Sequence, residues 1–302
     1  MSALPEIDPR KPVLIAGPTA SGKSALALAL AQQYRRPIVN ADALQVYGCW
    51  RVLTARPSPE DEARAPHLLY GHISCDHKYS VGQWLRELQP ILQDPSSAPA
   101  IIIGGTGLYF TSLVSGLSVI PDVPAAVRET ARQRLRTAGG RAAMRADLAA
   151  EDPETLARID AANPRRLQRA WEVLRGTGRG LAAWHDATPP PLLPLSEATA
   201  LLLEAPKSWL NPRIERRFRR IVAEGGLEEC RARLAGWNPA LPSARAIGAA
   251  ELIAHLRGEI DLETAISRAV TATRQYAKRQ RSWFRARMQG WRRIDLSTSP
   301  CE

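Results

Sequence analysis

Gly17, Pro18, Thr19, Ala20, Ser21, Gly22, Lys23 and Ser24 follow the spacing G-x-x-x-x-G-K-[ST]. A loop of this kind closes backbone N–H groups around phosphate oxygens, and the helix after it adds a favourable dipole at its N-terminus. Lys23 would neutralise the terminal phosphate, and the Ser24 hydroxyl would hold Mg²⁺. The pattern points to a bound diphosphate and leaves the reaction open. Asp42 is the next candidate, because it ends a short apolar run. A carboxylate there could hold Mg²⁺ through water or take a proton from an incoming nucleophile. Asp in that place is also a common helix N-cap. Arg213 and Arg217 are one helical turn apart, so both could face one anion and stabilise a departing diphosphate, or they could be a surface pair.

These groups need elements that bring them together. Pro12–Ala16, Pro37–Ala41 and Ala100–Ile103 read as short buried strands, and Ser24–Tyr34 as a helix without a breaker. Strands alternating with helices predict an α/β fold, a parallel sheet with helices on both faces. Ligands bind such sheets at the carboxyl ends of the strands. The loop at 17–24, Asp42 and Gly104-Gly105-Thr106-Gly107 all occupy such ends, so they are predicted to converge on one crevice. The third of these strands ends in glycines rather than in Asp, which argues against a motor ATPase and draws attention to Asp42. The glycines could line a channel where a bulky group needs close backbone approach, or form an ordinary tight turn. Residues 121–195 are rich in Ala, Arg and Glu and read as a helical insertion closed by the prolines of 189–194, which divides a core of 1–120 and 196–302. Ala198–Ala205 reads as a strand returning to the sheet or as the start of a buried helix, and 211–236 and 244–290 read as mostly helical.

The formal net charge of +11 implies an anionic partner, nucleic acid first. Residues 274–293 carry eight Lys and Arg and no acid, with Tyr276, Trp283, Phe284 and Trp291 interleaved. On a helix spanning this stretch, Arg274, Lys278, Arg281 and Arg285 would share one face that can track a phosphate backbone, and Tyr276 or Trp283 could stack on a base. The bland alternative is a solvated face with aromatic core contacts. Cys49, Cys75, Cys230 and Cys301 form no C-x-x-C pair, so free thiols in a reducing compartment are expected. The five histidines show no metal-ligand spacing. No apolar run approaches the ~18 residues of a membrane span, and Met1–Lys11 has no signal-peptide character. A cytoplasmic protein is expected.

Read together, GPTASGKS (17–24), NADALQVY (40–47), LTARP (53–57), IIIGGTGLYF (101–110), NPRRLQRAWEVLRGTG (163–178), RIERRF (213–218), RAIGAAEL (245–252) and TRQYAKRQRSWFR (273–285) resemble the tRNA dimethylallyltransferase family, in the family's order and over nearly the whole chain. The resemblance implies a P-loop core with a helical insertion. It also implies transfer of a dimethylallyl group from dimethylallyl diphosphate to N6 of adenosine 37 in tRNA, with Mg²⁺ as cofactor, by a protein expected to be a monomer. It makes Asp42 the general base. Thr19, Lys23 and Ser24 then grip diphosphate and metal, and Arg217, with Arg213 nearby, assists diphosphate departure. The family's tRNA contacts correspond to Asp42, Ala43, Leu44, Gln45, Thr106 and Arg128; to Arg166, Leu167, Gln168, Arg169 and Ala170; and to Ile247, Gly248, Ala249, Ala250, Glu251 and Leu252. Arg274, Lys278 and Arg281 of the basic face are added to these. The chain departs from the family pattern at Ala43, at Gly48–Leu53, at Pro164 and at Ala249. A small-molecule P-loop kinase, a prenyltransferase acting on free adenine nucleotides and a non-catalytic RNA-binding module are the competing readings. The first two need no RNA surface, and the third leaves Lys23 and Asp42 without a purpose.

Overall fold

The computed structural model describes residues 4–297. Six parallel strands form one sheet: β1 (Val13–Ala16), β2 (Ile38–Asn40), β3 (His67–Leu68), β4 (Ile101–Gly104), β5 (Thr199–Glu204) and β6 (Arg292–Asp295). Their order is β3-β2-β4-β1-β5-β6. VLIA, IVN and IIIG are buried at every residue, because central strands of a parallel sheet are covered on both faces. The segment at 198–205 resolves as strand β5, paired with β1 in the register Val13↔Thr199.

The helices are numbered in chain order. The core carries α1 (Lys23–Tyr34), α2 (Pro59–Arg64), α3 (Val81–Gln93) and α4 (Gly107–Ser115). Five more are α5 (Ala125–Arg136), α6 (Gly140–Glu151), α7 (Pro153–Arg158), α8 (Pro164–Thr177) and α9 (Leu181–Asp186). The chain then returns through α10 (Lys207–Ile221), α11 (Leu227–Arg233), α12 (Ala249–Leu256) and α13 (Leu262–Arg287).

Two compact units result. The first comprises 4–114 and 192–297 of the described residues, and the second is Ser115–Pro191. The second unit has its own core, built around Val123, Met144, Leu148, Leu167, Trp171 and Val173. In the first unit one apolar cluster covers each face of the sheet. A third is built from Val46–Leu53 together with α10, α12 and α13.

Two expectations are corrected here. The basic helix expected over 274–293 ends at Arg287, and Arg292 and Arg293 belong to β6. This strand is held by backbone pairing with β5, Leu201↔Arg292 through Glu204↔Asp295, and its side chains are mostly exposed. A charged edge strand lacks the apolar signature by which the buried strands are read. Cys49 and Cys75, expected as free thiols, form a disulfide with their Cα atoms 6.0 Å apart. The N–H of Gly48 donates to the carbonyl of Ile73, and the N–H of Ile73 donates to that of Val46, both at 2.9 Å. This pairing sets the two segments side by side at a separation a disulfide can span. Cys230 is free, and burial pushes its thiol up to about 12. Cys301 lies outside the described residues.

Candidate active site

The strand ends deliver the pieces. β1 runs into the loop 17–22, which enters α1 through Gly22 at φ 82°, a left-handed conformation that favours glycine. β2 ends at Asn40, which is fully buried and organises the turn at Asp42. Its side-chain carbonyl accepts from the N–H of Asp42 at 2.9 Å, and its amide donates to the carbonyls of Asp42 and Leu69 at 3.0 Å. The indole of Trp84 donates to the carbonyl of Asn40 at 2.7 Å.

The Asp42 carboxylate combines features that its sequence position left as alternatives. Oδ1 caps the local turn by accepting from the N–H of Leu44 at 2.9 Å. Oδ2 lies on the side of Gly105, 3.5 Å from where a side chain there would begin. One oxygen therefore fixes the group, and Asp42 lines a cavity together with Thr19, Lys23, Ser24, Gly105 and Arg217. The predicted convergence of the three strand-end loops is what the fold produces.

Two cations share that cavity with one carboxylate. Lys23 Nζ donates to the carbonyl of Pro18 at 3.0 Å. Burial, and then the neighbouring Arg217, push its ammonium down to about 8, against the pull of Asp42. Burial also lowers Arg217, with Asp42 acting in the opposite sense. Arg217 Nη1 donates to Thr19 Oγ1 at 3.2 Å. The cavity is thus built to receive an anion that returns charge balance to two desolvated cations. Arg213 behaves differently. Its guanidinium reaches the carbonyl of Ala20 at 3.4 Å and stacks over Trp209, outside the cavity lining. Tyr70, Tyr109 and Tyr276 are all held protonated by burial and then by Asp42.

Gln280 is the residue that sequence reading missed. It is 5 % exposed, its carbonyl accepts from the N–H of Thr19, and its amide donates to the carbonyl of Gly105, both at 2.9 Å. It ties the phosphate loop to the end of β4. Its place inside TRQYAKRQRSWFR was visible, but nothing in the motif says which of two glutamines turns inward. Glu229 was missed as well, and its carboxylate accepts from the N–H groups of Arg51, Val52 and Leu53 at 2.8–2.9 Å.

The glycines of 104–107 do admit close approach, but to protein groups. A Cβ at Gly104 would meet the backbone of Ala41, at Gly105 the amide of Gln280, and at Gly107 the ring of Trp283. The Trp283 ring packs on this loop and stays partly exposed, whereas Tyr276 lines the cavity.

The remaining predicted residues divide by burial. Leu44, Gln45 and Ile247 line the cavity, and the Gln45 amide is engaged with the carbonyls of Thr54 and Ala55. Thr106 Oγ1 accepts from the N–H of Ala43 at 3.1 Å. Gly248, Ala249 and Leu252 are buried, Ala250 is exposed, and Glu251 accepts from the N–H of Gly248. Within the second unit Arg128, Arg166 and Arg169 are at least partly exposed, and Gln168 donates to Glu172. Leu167 and Ala170 are core residues there, so their side chains serve packing. Arg274, Lys278, Arg281 and Arg285 line one groove together with Lys207 and Asn211 of α10, and Arg274 is ion-paired to Glu215 at 2.9 Å.

The chain matches the family model for IPP transferase over residues 45–287, and that for isopentenyl transferase over 11–65. It belongs to the IPP transferase family. It is 64% identical over 281 residues to the tRNA dimethylallyltransferase of Dinoroseobacter shibae, covering 93% of each chain. Among solved structures it is similar to the full-length tRNA isopentenylpyrophosphate transferase of Bacillus halodurans, with 27% identity, a TM-score of 0.67 and coverage of 95% and 90% of the two chains. A eukaryotic dimethylallyltransferase acting on tRNA, 22% identical, shares the fold with a TM-score of 0.81, over 96% of this chain and 74% of its own. The P-loop α/β fold expected from the sequence is the fold of this family. Among the described residues no helix is long and apolar enough to cross a membrane.

Proposed function

We propose that this protein transfers the dimethylallyl group of dimethylallyl diphosphate to N6 of adenosine 37 in tRNA, acting as a cytoplasmic monomer. The observation that carries the reading is one cavity holding the Lys23 and Arg217 cations, the Asp42 carboxylate and an apolar wall. An allylic diphosphate leaves readily once its charge is balanced, so help at the leaving group matters more than a strong base. Thr19, Lys23 and Arg217 receive the negative charge that develops on the diphosphate as the C–O bond breaks. The exocyclic amine attacks the allylic carbon, and Asp42 Oδ2 takes the amine's proton. The products are N6-(dimethylallyl)adenosine and diphosphate. The adenine has to leave the anticodon-loop stack to reach the cavity, which is cheapest for a single-stranded base.

Mg²⁺ suits this donor set. It is ordinarily held by one or two protein oxygens plus phosphate oxygens and water, and Ser24 offers a hydroxyl at the cavity edge, at the start of α1. When bound, the ion would offset charge on the diphosphate. Outside the cavity, the groove of Lys278, Arg281 and Arg285 and the side chains of Arg128, Arg166 and Arg169 supply the charge that would hold tRNA phosphates.

The test mixes the protein, Mg²⁺, radiolabelled dimethylallyl diphosphate and unmodified tRNA, and locates label in the RNA. Label is expected at adenosine 37. Asp42→Asn should cut the turnover rate by about 10²–10⁴, while dimethylallyl diphosphate still binds. Unlabelled tRNA, together with ATP consumption driven by a small alcohol or acid, would favour the kinase instead.

A further inference from the structure

Three segments of the first unit meet at the Cys49–Cys75 disulfide, and each of them also reaches the cavity. The segment around Cys49 supplies Leu44, Gln45, Leu53 and Thr54 to the lining, the one before Cys75 supplies Tyr70, and the chain after Ser243 supplies Ile247. Ser243 joins the three. Its hydroxyl donates to the carbonyl of Cys75 at 2.6 Å, and its own carbonyl accepts from the indole N–H of Trp50, next to Cys49, at 2.9 Å. The disulfide adds a covalent tie to these hydrogen bonds.

A chain of 302 residues with a buried apolar cluster beneath this loop does not depend on a disulfide for its core, as small secreted domains do. On the cytoplasmic reading above, a disulfide is ordinarily one that forms and breaks in use. Cys49 and Cys75 are both partly exposed, and Gly48, Ser74 and Asp76 beside them are exposed, so a thiolate can reach the bond.

We propose that Cys49 and Cys75 form a redox switch on tRNA binding. The proposal rests on the transferase reading, which sets tRNA against residues 43–45 and 247–252. A dithiol reductant breaks the S–S bond: it gives up two electrons and two protons, closes its own disulfide and leaves Cys49 and Cys75 as thiols. A low-molecular-weight disulfide reverses the exchange and departs as two thiols. In the oxidised form the three segments are held in one arrangement before RNA arrives. In the reduced form hydrogen bonds alone hold them, and tRNA has to order them, which lowers affinity. The phosphate loop joins β1 to α1, outside the tied segments, so the diphosphate end of the site keeps its affinity.

The experiment uses the full chain in two states, reduced with dithiothreitol and oxidised with oxidised glutathione. Mass spectrometry after alkylation of free thiols reads the disulfide in each. Filter binding gives Kd for unmodified tRNA, and steady-state transfer with Mg²⁺ gives KM for tRNA and for dimethylallyl diphosphate. Reduction should raise Kd and KM for tRNA reversibly by about 2–10-fold, as when one further side chain has to be ordered. KM for dimethylallyl diphosphate should stay unchanged. The double variant Cys49→Ser with Cys75→Ser should behave as the reduced protein with either reagent. Circular-dichroism melting checks its folding, and if it fails to fold, the reduced and reoxidised parent decides alone. Equal tRNA affinity in the two states would overturn the proposal and leave the bond a structural staple. So would a parent that stays reduced in oxidised glutathione, a shift that persists in the double variant, or an equal loss for both substrates. A redox-dependent Kd in a protein that moves no dimethylallyl group would sink the transferase reading and leave the switch in place.

Discussion

Lys23 is the residue whose behaviour is set most directly by its surroundings. Burial, aided by Arg217, holds its ammonium at about 8 rather than at the usual 10.5. Without a diphosphate beside it, the charge is therefore lost as pH rises through about 8. A diphosphate beside Lys23 favours the charged form and raises its pKa, so binding above that pH draws a proton from solution. Affinity for dimethylallyl diphosphate should then fall as pH rises past 8. Calorimetry in two buffers of different ionisation enthalpy should show the proton uptake, and Lys23→Met should abolish it. A pH-independent affinity would mean that the lysine is not at the phosphate. Gln280 makes a different prediction at this scale. Gln280→Leu leaves the Thr19 N–H and the Gly105 carbonyl without their partner, and each unpaired buried group costs about 1–3 kcal/mol. A melting temperature several degrees lower, together with weaker diphosphate binding, is expected. An unchanged melt would show that water takes over both bonds.

At the scale of elements, α13 decides how the positive charge is spent. Its inward residues Ala269, Val270, Ala277, Gln280 and Phe284 are buried, and the basic residues lie on the other side. The helical periodicity of Arg274, Lys278, Arg281 and Arg285 was legible, and they do line one groove. That Arg274 is tied to Glu215 of α10 was not legible, because the two are 59 residues apart. The two positions should therefore differ in tRNA binding. Lys278→Ala should lower the slope of log affinity against log salt by ~0.7–0.9, one phosphate contact. Arg274→Ala should change it less, because part of its charge is already balanced. Filter-binding titrations across a salt series would measure both, and equal changes would contradict the pairing. The second unit presents Arg128, Arg166 and Arg169 on surfaces of α5 and α8, whereas Leu167 and Ala170 turn inward.

For the whole molecule, the disulfide links two loops through a 26-residue separation. Closing a loop of that length stabilises the folded state relative to the unfolded chain by roughly 3.5 kcal/mol in the chain-entropy account. Reduction should lower the melting temperature of the parent protein and leave Cys49→Ser unaffected. A reductant-independent melt in both would mean that the bond does not form. The same loop carries Trp50 and Leu53, which join the cluster of α10, α12 and α13. Trp50 donates its indole N–H to the carbonyl of Ser243 at 2.9 Å. In this way the stretch Gly48–Leu53 is held by the core itself.

Local chemistry made much of this protein readable from its sequence. The phosphate loop, the three central strands and the helical insertion each announce themselves within a short window, through glycine spacing, continuous apolar runs or helix-forming composition. Strand β6 does not, because a charged edge strand is specified by its pairing partner, Leu201–Glu204, and not by its own residues. The same holds for the site. Gly17–Ser24 and Asp42 could be named as candidates, since motif and position sufficed. Choosing Arg217 over Arg213 for the cavity, joining Thr19 to Gly105 through Gln280, and backing Phe218 against Gly248 all depend on contacts between residues far apart in the chain. Such contacts exist only once the sheet order and the paths of α10 and α13 are set, and packing decides those.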